Sequence, residues 1–219
     1  MRGLYIIVEG PTEEEFVNNS LYDYMVSKGI TDVRAIKIET SPGFKGGDIK
    51  YTRYKPNVIN ILKREQDIIV SSLIDFFRLK NDFPRYEESM GINNPIDRVS
   101  FIEKAIEEDI VDNRFIPYIQ LHEFEGLLFS EKKGFDLFPH ISETNRRELN
   151  QIIEKYSNPE LINDGPTTSP SKRLMRLIPG YQKTFHGPLI ALENGFDSII
   201  TKCPRFNTWV ETLIQRMRK

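Results

Sequence analysis

Cysteine is almost absent from this chain: Cys203 is the only one in 219 residues. A single thiol excludes an internal disulfide framework and a cysteine-based zinc site. Long apolar runs are missing too. Stretches such as Ile68–Ile74 fall well short of the ~20 residues that a membrane span requires, and no membrane association is expected. Met1 to Ile6 runs into Glu9 without a cleavage-site pattern, so no secretory signal is expected. Neither sign of charge dominates, since 30 Lys and Arg face 32 Asp and Glu for a formal net charge of −2. That balance excludes a chain that is basic throughout. The glycine-rich loop Gly43–Gly47 lacks a following Gly-Lys-Ser/Thr, so it is not a phosphate-binding P-loop and no ATP site is expected. Internal repeats and low-complexity tracts are also missing.

Hydrophobic residues make up 39% of the chain and charged residues 28%, which sets it apart from disordered sequences. At this length roughly 70% of the unfolded chain's surface is buried on folding, enough for a core. The expectation is a cytoplasmic globular protein with one core domain over 1–130 and a helical C-terminal extension over 131–219 packed on it.

The distribution of charge is more informative than its sum. From Ser169 to Lys219 nine basic residues face three acidic ones, a local net of +6 that leaves −8 on the first 168 residues. A second basic stretch, Ser41–Arg64, holds six Lys and Arg against Asp48 alone. Phe44, Tyr51 and Tyr54 are interleaved there with Lys45, Lys50 and Arg53, and such mixtures can stack on bases while the cations meet phosphates. The plain alternative is a solvated surface. Two basic patches around an acidic body predict a polyanion held over a carboxylate-rich centre.

Hydrophobic periodicity predicts strands alternating with helices. Leu4–Val8 reads as a buried strand stopped by Glu9-Gly10-Pro11. Thr12 reads as the N-cap of the next helix, with Glu15 completing a capping box. A second strand is expected over Val33–Glu39, a loop over Ser41–Lys50, and a helix from Pro56 to Arg64. Asp67–Ile74 reads as a central parallel strand, Ile96–Val111 as a helix, and Arg114–Leu121 as a fourth strand. This order predicts right-handed βαβ units in a mostly parallel α/β sheet flanked by helices. Beyond Ser130 only helices are expected, around Glu143–Lys155, Ser171–Leu177, Pro188–Glu193 and Pro204–Arg218.

Acids cluster where the strands end, and in open α/β sheets ligands bind outside the carboxyl ends of the strands. Glu9 with Glu13, Asp75, and Glu123 with Glu125 all occupy such ends. Carboxylates gathered at one edge repel unless they hold protons or share a hard cation, and an all-oxygen donor set points to Mg²⁺ or Mn²⁺. Each acid also has a plainer role: Glu13, Glu14 and Glu15 would complement a helix dipole, and Asp75 would cap the next segment. Glu123 and Glu125 lie two apart and face different sides of a helix, so at most one is expected to reach the centre directly and the other through a basic partner or water. His122 is a candidate base. Phe124, Leu127 and Leu128 are expected in the core.

In the tail, Ser171 reads as a helix cap whose amides, with Lys172 and Arg173, would hold a phosphate, while Lys183 would neutralise charge during phosphoryl transfer. His186 reads as a structural cap and His140 as a loop residue. Trp209, Phe206, Val210 and Leu213 read as helix packing, and Cys203 as a buried, unreactive thiol.

The segment Val8-Glu9-Gly10-Pro11-Thr12-Glu13 after a hydrophobic strand resembles the first motif of the toprim domain, shared by topoisomerases, DnaG-type primases and OLD-type nucleases. Together with Ser72–Asp75, Gln120–Ser130 and Pro170–Arg173, it resembles domain-of-unknown-function family 4276 over nearly the whole chain. The resemblance implies a toprim-like (Rossmann-like) fold and metal-dependent phosphodiester chemistry. It implies Glu9 as general acid/base or metal ligand, and Asp75 as the first residue of the metal-binding Asp-x-Asp pair. The second position of that pair is Phe77, which cannot bind a cation. The resemblance also implies a bacterial protein that works beside an ABC- or AAA-type ATPase in defence against phage.

The leading expectation is a Mg²⁺- or Mn²⁺-dependent nuclease acting on DNA or RNA. Glu9 or His122 would be the base, Glu9, Glu13, Asp75, Glu123 and Glu125 would surround the metal, and Lys172, Arg173 and Lys183 would hold phosphates. The second expectation is a non-catalytic or conditionally active nucleic-acid-binding subunit of an ATPase complex. The third is phosphoryl transfer on a small phosphoester. Oligomeric state is left open.

Overall fold

The computed structural model describes residues 2–41, 44–45, 49–163, 165 and 167–219. The chain opens with strand β1 (Gly3–Val8), buried along its whole length. Gly10 turns it into helix α1 (Pro11–Phe16), a π-helical turn (Val17–Leu21) and α2 (Tyr22–Ser27). Strand β2 (Val33–Lys37) follows, then an antiparallel pair, β3 (Glu39–Ser41) and β4 (Phe44–Lys45). Helix α3 (Tyr51–Arg64) leads to β5 (Ile68–Asp75), and the short α4 (Tyr86–Ser89) and long α5 (Pro95–Ile110) lead to β6 (Phe115–Ile116) and β7 (Ile119–Gln120). Two 3-10 segments, Phe124–Ser130 and Lys133–Leu137, precede the remaining helices. These are α6 (Glu143–Lys155), α7 (Pro170–Leu177), α8 (Lys183–Asn194), α9 (Phe196–Lys202) and α10 (Pro204–Met217).

The main sheet has the order β2-β1-β5-β6, with β7 also pairing with β5, and every pairing in it is parallel. Leu4, Ile6, Val8, Ile69 and Leu73 face one core; Tyr5, Ile7, Ile68, Val70 and Ile74 face the other. This two-sided burial explains why β1 and β5 read as continuous apolar runs instead of alternating ones. Helices α3 and α5 cover the second face through Tyr54, Val58, Ile102 and Ile106. The first face is covered by Phe16 and Leu21 together with Leu174, Leu177, Ile190, Phe206 and Trp209. The helices after residue 130 therefore seal one side of the sheet and share its core.

Several expected boundaries move, each for a local reason. The first helix is capped by Gly10, not Thr12, and Glu13, not Glu15, supplies the carboxylate: Gly10 N–H donates to Glu13 Oε2 at 3.0 Å. Helix α3 begins five residues before Pro56. Pro56 removes one N–H on an exposed side of the helix, while Tyr51, Tyr54, Val58 and Leu62 bury the opposite stripe. The strand expected over Arg114–Leu121 splits into β6 and β7 on either side of Pro117, which has no N–H to give to a ladder. The segment read as a loop over Ser41–Lys50 contains β4, while its Gly43–Gly47 stretch lies largely outside the described residues. Helix α8 starts at Lys183, ahead of Pro188, and α9 falls in a stretch with no helix expected.

The sheet margin at β7 is occupied by side chains. Glu103 Oε1 accepts from Ile119 N–H at 2.7 Å, and Arg205 Nη1 donates to Ile119 O at 2.6 Å. Glu103 and Arg205 are also paired with each other. Deeper in, the Trp209 ring stacks on Tyr118 at 4.5 Å between centroids, and its Nε1 donates to Ser71 Oγ at 2.8 Å. Trp209 thus ties the last helix to the central strand. Urea denaturation of Trp209→Phe, which keeps the stack and loses the bond, is expected to show a loss of about 1–2 kcal/mol. Trp209→Ala is expected to cost about 3–5 kcal/mol with an unchanged m-value.

Candidate active site

Strand β1 pairs with β2 on one side and β5 on the other, and the chain's progress across the sheet reverses between β1 and β5. Such a switch point opens a crevice at the carboxyl ends of the two strands. The register Val8↔Leu73 brings Glu9, just past β1, level with Ile74, at the same strand ends as Asp75, the last residue of β5. Glu9 is partly buried, and its charge acts on Asp75. Glu13 is drawn in from the first turn of α1 by its bond to Gly10 and is 3% exposed.

The remaining parts come from the segments that cover this edge. Phe124 N–H donates to Asp75 Oδ1 at 2.8 Å, which anchors the 3-10 segment carrying Glu125. Glu125 is fully buried. Its Oε1 lies 3.1 Å from Lys183 Nζ, the first residue of α8, yet among the described residues no donor makes an aligned hydrogen bond to either carboxylate oxygen. The same ammonium lies 3.9 Å from both Asp75 Oδ2 and Glu13 Oε1. Lys183 is therefore shared by three acids.

The electrostatics follow from one cation among several buried anions. Burial raises the Asp75 pKa well above its usual value; Lys183 opposes the rise, and Glu13, Glu9 and Glu125 add to it. Burial also pushes Glu125 up to about 7, against Lys183 and with help from Glu123 and Glu13. Burial works against the charge on Lys183, but Asp75, Glu125 and Glu13 more than offset it, so its pKa rises.

Not every expected residue joins this group. Glu123 accepts from Ser171 N–H and Ser171 Oγ, both at 2.9 Å, and so holds the start of α7. Ser171 is not the cap expected: Ser169 is the N-cap and Pro170 the first helical residue, and the Ser171 amide is already bonded to Glu123. Arg173 turns inward, donating from Nε to Thr168 O at 2.6 Å. Lys172 stays exposed on the wall of the cleft. His122 sits in the left-handed region at φ 64°, its Nδ1 3.1 Å from Asn163 Nδ2. Burial lowers its pKa to about 4, with Glu123 opposing and Arg98 assisting. Lys50 and Arg53 are exposed at the start of α3, which runs back toward β5 and so begins at the same end of the sheet. The side chain of Lys45 lies outside the described residues.

Two participants carried no sequence signal that singled them out. Arg78, three residues beyond Asp75, lines the cleft with Phe77, Lys172 and Lys183; its volume is ≈ 210 Å³. Tyr181 is the other. Its buried hydroxyl has no hydrogen-bond partner among the described residues, and its pKa is raised by burial and by Glu125. A larger groove of ≈ 450 Å³ between α5 and α10 contains Glu103 and Arg205, but those charges are committed to each other and to Ile119.

The donor set suits a hard divalent cation: all ligating atoms are oxygens, and both Glu125 oxygens lack an aligned donor. The spacing is that of an ammonium-bridged cluster, since among the described residues no group of three or more His, Cys, Asp or Glu is already placed to hold a metal ion.

The sequence profile of the family described as Domain of unknown function (DUF4276) matches residues 8–214. In structure the chain is similar to the C-terminal region of the Burkholderia pseudomallei OLD protein, with a TM-score of 0.52 at 15% identity over 98% of this chain and 96% of that one. The C-terminal region of the Xanthomonas campestris pv. campestris OLD protein aligns with a TM-score of 0.49 at 16% identity, over 99% of this chain and 92% of that one. No curated protein matches the chain. The fold is the toprim-like α/β arrangement expected, and among the described residues no helix is long and apolar enough to cross a membrane.

A carboxyl whose folded pKa is raised lends stability that is complete below its unfolded value and is lost as pH climbs through the folded one. For Glu125 that window runs from 4.5 to about 7. In EDTA, Glu125→Gln is expected to be more stable than the wild type at pH 8 by on the order of 2 kcal/mol, or about 4–8 °C in Tm. The gap should close as pH falls toward 4.5; thermal melts across this range test it, and a constant gap would contradict the assignment.

Proposed function

The chain belongs to the DUF4276 family, and on that premise we propose that it is a metal-dependent, phosphodiester-cleaving nuclease of the toprim class. The observation that carries this reading is the meeting of Asp75, Glu13 and Glu125 around Lys183 at the sheet's switch point, with Glu9 beside them. Asp75, Glu9, Glu13 and Glu125 would hold Mg²⁺ or Mn²⁺, which supplies Lewis-acid polarisation of a phosphoryl oxygen and a more acidic bound water.

The chain's own groups have separable tasks. Lys183, half-exposed at the cleft, neutralises the carboxylates at rest and can turn toward a phosphate when a divalent ion takes over that role. Glu125, whose carboxyl is pushed up to about 7 by burial while no metal is bound, would give up its proton on taking up the ion. Glu123 acts one step removed: by fixing the start of α7 through Ser171 it orients Lys172 toward the cleft. Glu9 would serve as the base, since its charge acts on Asp75 at the strand ends, whereas the His122 ring faces Asn163. Lys172 and Arg78 would take the flanking phosphates, and Lys50 and Arg53 would guide the strand beyond them. The same proposal includes a DNA or RNA substrate, a cytoplasmic setting, and a place beside an ABC- or AAA-type ATPase in defence against phage.

Two observations favour a second reading. Phe77 stands where a second metal-binding acid would be, and an ammonium already bridges the acids, as befits a non-catalytic nucleic-acid-binding subunit of an ATPase complex.

Purified protein is expected to nick or degrade DNA or RNA with Mg²⁺ or Mn²⁺ and to stop in EDTA. Asp75→Asn and Glu9→Gln should each lower kcat by about 100-fold or more, as loss of a charge-stabilising or proton-transferring group does. Metal-independent cutting that tolerates both changes would overturn the proposal. Nucleic-acid binding without metal uptake in calorimetry would select the second reading.

A further inference from the structure

The rim of the cleft is unusual for an acidic centre because it exposes two large apolar side chains. Phe77 is 36% exposed and Met175 56% exposed, and both line the cleft that has Asp75 at its base. Three cations, Arg78, Lys172 and Lys183, share the same walls. Scattered exposed apolar residues are ordinary, but an aromatic ring and a thioether facing one cation-lined cleft are a more specific combination.

The backbone beneath Phe77 is built to hold it. Phe76 N–H donates to Gln120 O at 2.9 Å, Phe77 N–H to His122 O at 2.8 Å, and Leu79 N–H to Phe76 O at 3.0 Å. The Phe76 ring stacks on Tyr86, and Leu79 is buried. The turn that results puts Arg78 in the left-handed region at φ 73°. Glycine would adopt that conformation without strain, and strained non-glycine residues of this kind cluster at functional sites. The Arg78 guanidinium lies over the Phe77 ring at 5.6 Å from its centroid, extending the aromatic surface with a positive charge.

We infer that Phe77 and Arg78 form a stacking platform for one unpaired nucleotide of a single-stranded nucleic acid, the base resting on Phe77 and its phosphates meeting Arg78 and Lys172. An exposed aromatic ring stacks on any base, and neighbouring cations track the backbone. At ≈ 210 Å³ the cleft is smaller than the usual small-ligand pocket, a size that favours a single base over a base pair. The inference rests on the nuclease reading of this cleft and narrows its substrate to unpaired strands. It also accounts for Phe77: the position that lacks a second acid contributes to binding instead.

The test is fluorescence anisotropy in EDTA at fixed salt with labelled oligonucleotides about a dozen nucleotides long, as single-stranded DNA, single-stranded RNA and blunt duplex. Single strands are expected to bind at least about tenfold more tightly than duplex. Phe77→Ala should weaken single-strand binding by about tenfold and leave duplex binding unchanged, whereas Phe77→Trp should retain it. Arg78→Gly relieves the backbone strain, so it should raise the urea midpoint while still weakening single-strand binding. The DNA and RNA arms identify which strand the platform takes. Equal affinity for duplex and single strand, or single-strand affinity unmoved by Phe77→Ala in a protein with an unchanged urea midpoint, would overturn the inference. Cleavage is scored separately with Mn²⁺. Phe77-dependent binding without cutting defeats the nuclease reading and keeps the platform; cutting that is indifferent to Phe77→Ala in kcat/KM defeats the platform and keeps the nuclease.

Discussion

One ammonium group among buried carboxylates is the constraint on which the rest of this molecule depends. Asp75, Glu13 and Glu125 share Lys183, and each carboxylate was taken out of water to reach it. Burial above all, and then the crowding of negative charges around a single cation, make Asp75 and Glu125 resist ionisation. The fold tolerates this because strong apolar packing lies directly behind it: Val8 and Leu73 precede the acids on their strands, and Phe124, Leu127 and Leu128 adjoin Glu125 in sequence. Stability is spent at the sheet edge and recovered in the core, a common arrangement where binding chemistry is concentrated.

The helical segment after residue 130 is integral to that arrangement. It closes one face of the sheet, and it also delivers Lys183, Tyr181, Ser171 and Lys172 to an edge built by the first half of the chain. The cleft therefore exists only when both halves are folded together. Glu123 and Ser171 form one direct link, with Ser171 donating two hydrogen bonds to the Glu123 carboxylate.

Much of this was legible in the residues. Continuous apolar runs announced β1 and β5, and the acids that end them announced the site, because the carboxyl edge of a parallel sheet is where such strands deliver polar groups. Glu123 and Glu125, two residues apart, part company because Glu123 is the extended residue before the 3-10 segment and bonds Ser171, while Glu125 lies within that segment beside Lys183. What stayed hidden depended on tertiary context. Pro56 looked like a helix start because local rules place proline there, whereas the buried tyrosine stripe extends α3 past it. Arg173 and Lys172 are sequence neighbours with the same charge, yet one turns inward to Thr168 and the other faces the cleft. Arg78 drew no notice because nothing in its own neighbourhood reveals a left-handed turn held by Gln120 and His122.

The clamp at Ile119 has a consequence for assembly. With its N–H given to Glu103 and its carbonyl to Arg205, this margin offers an incoming strand no unmet backbone group at that residue. Growth of the sheet from one molecule into the next is blocked there by side chains instead of by a covering loop. Mutation of the Glu103–Arg205 pair would leave the N–H and carbonyl of Ile119 open to an incoming strand.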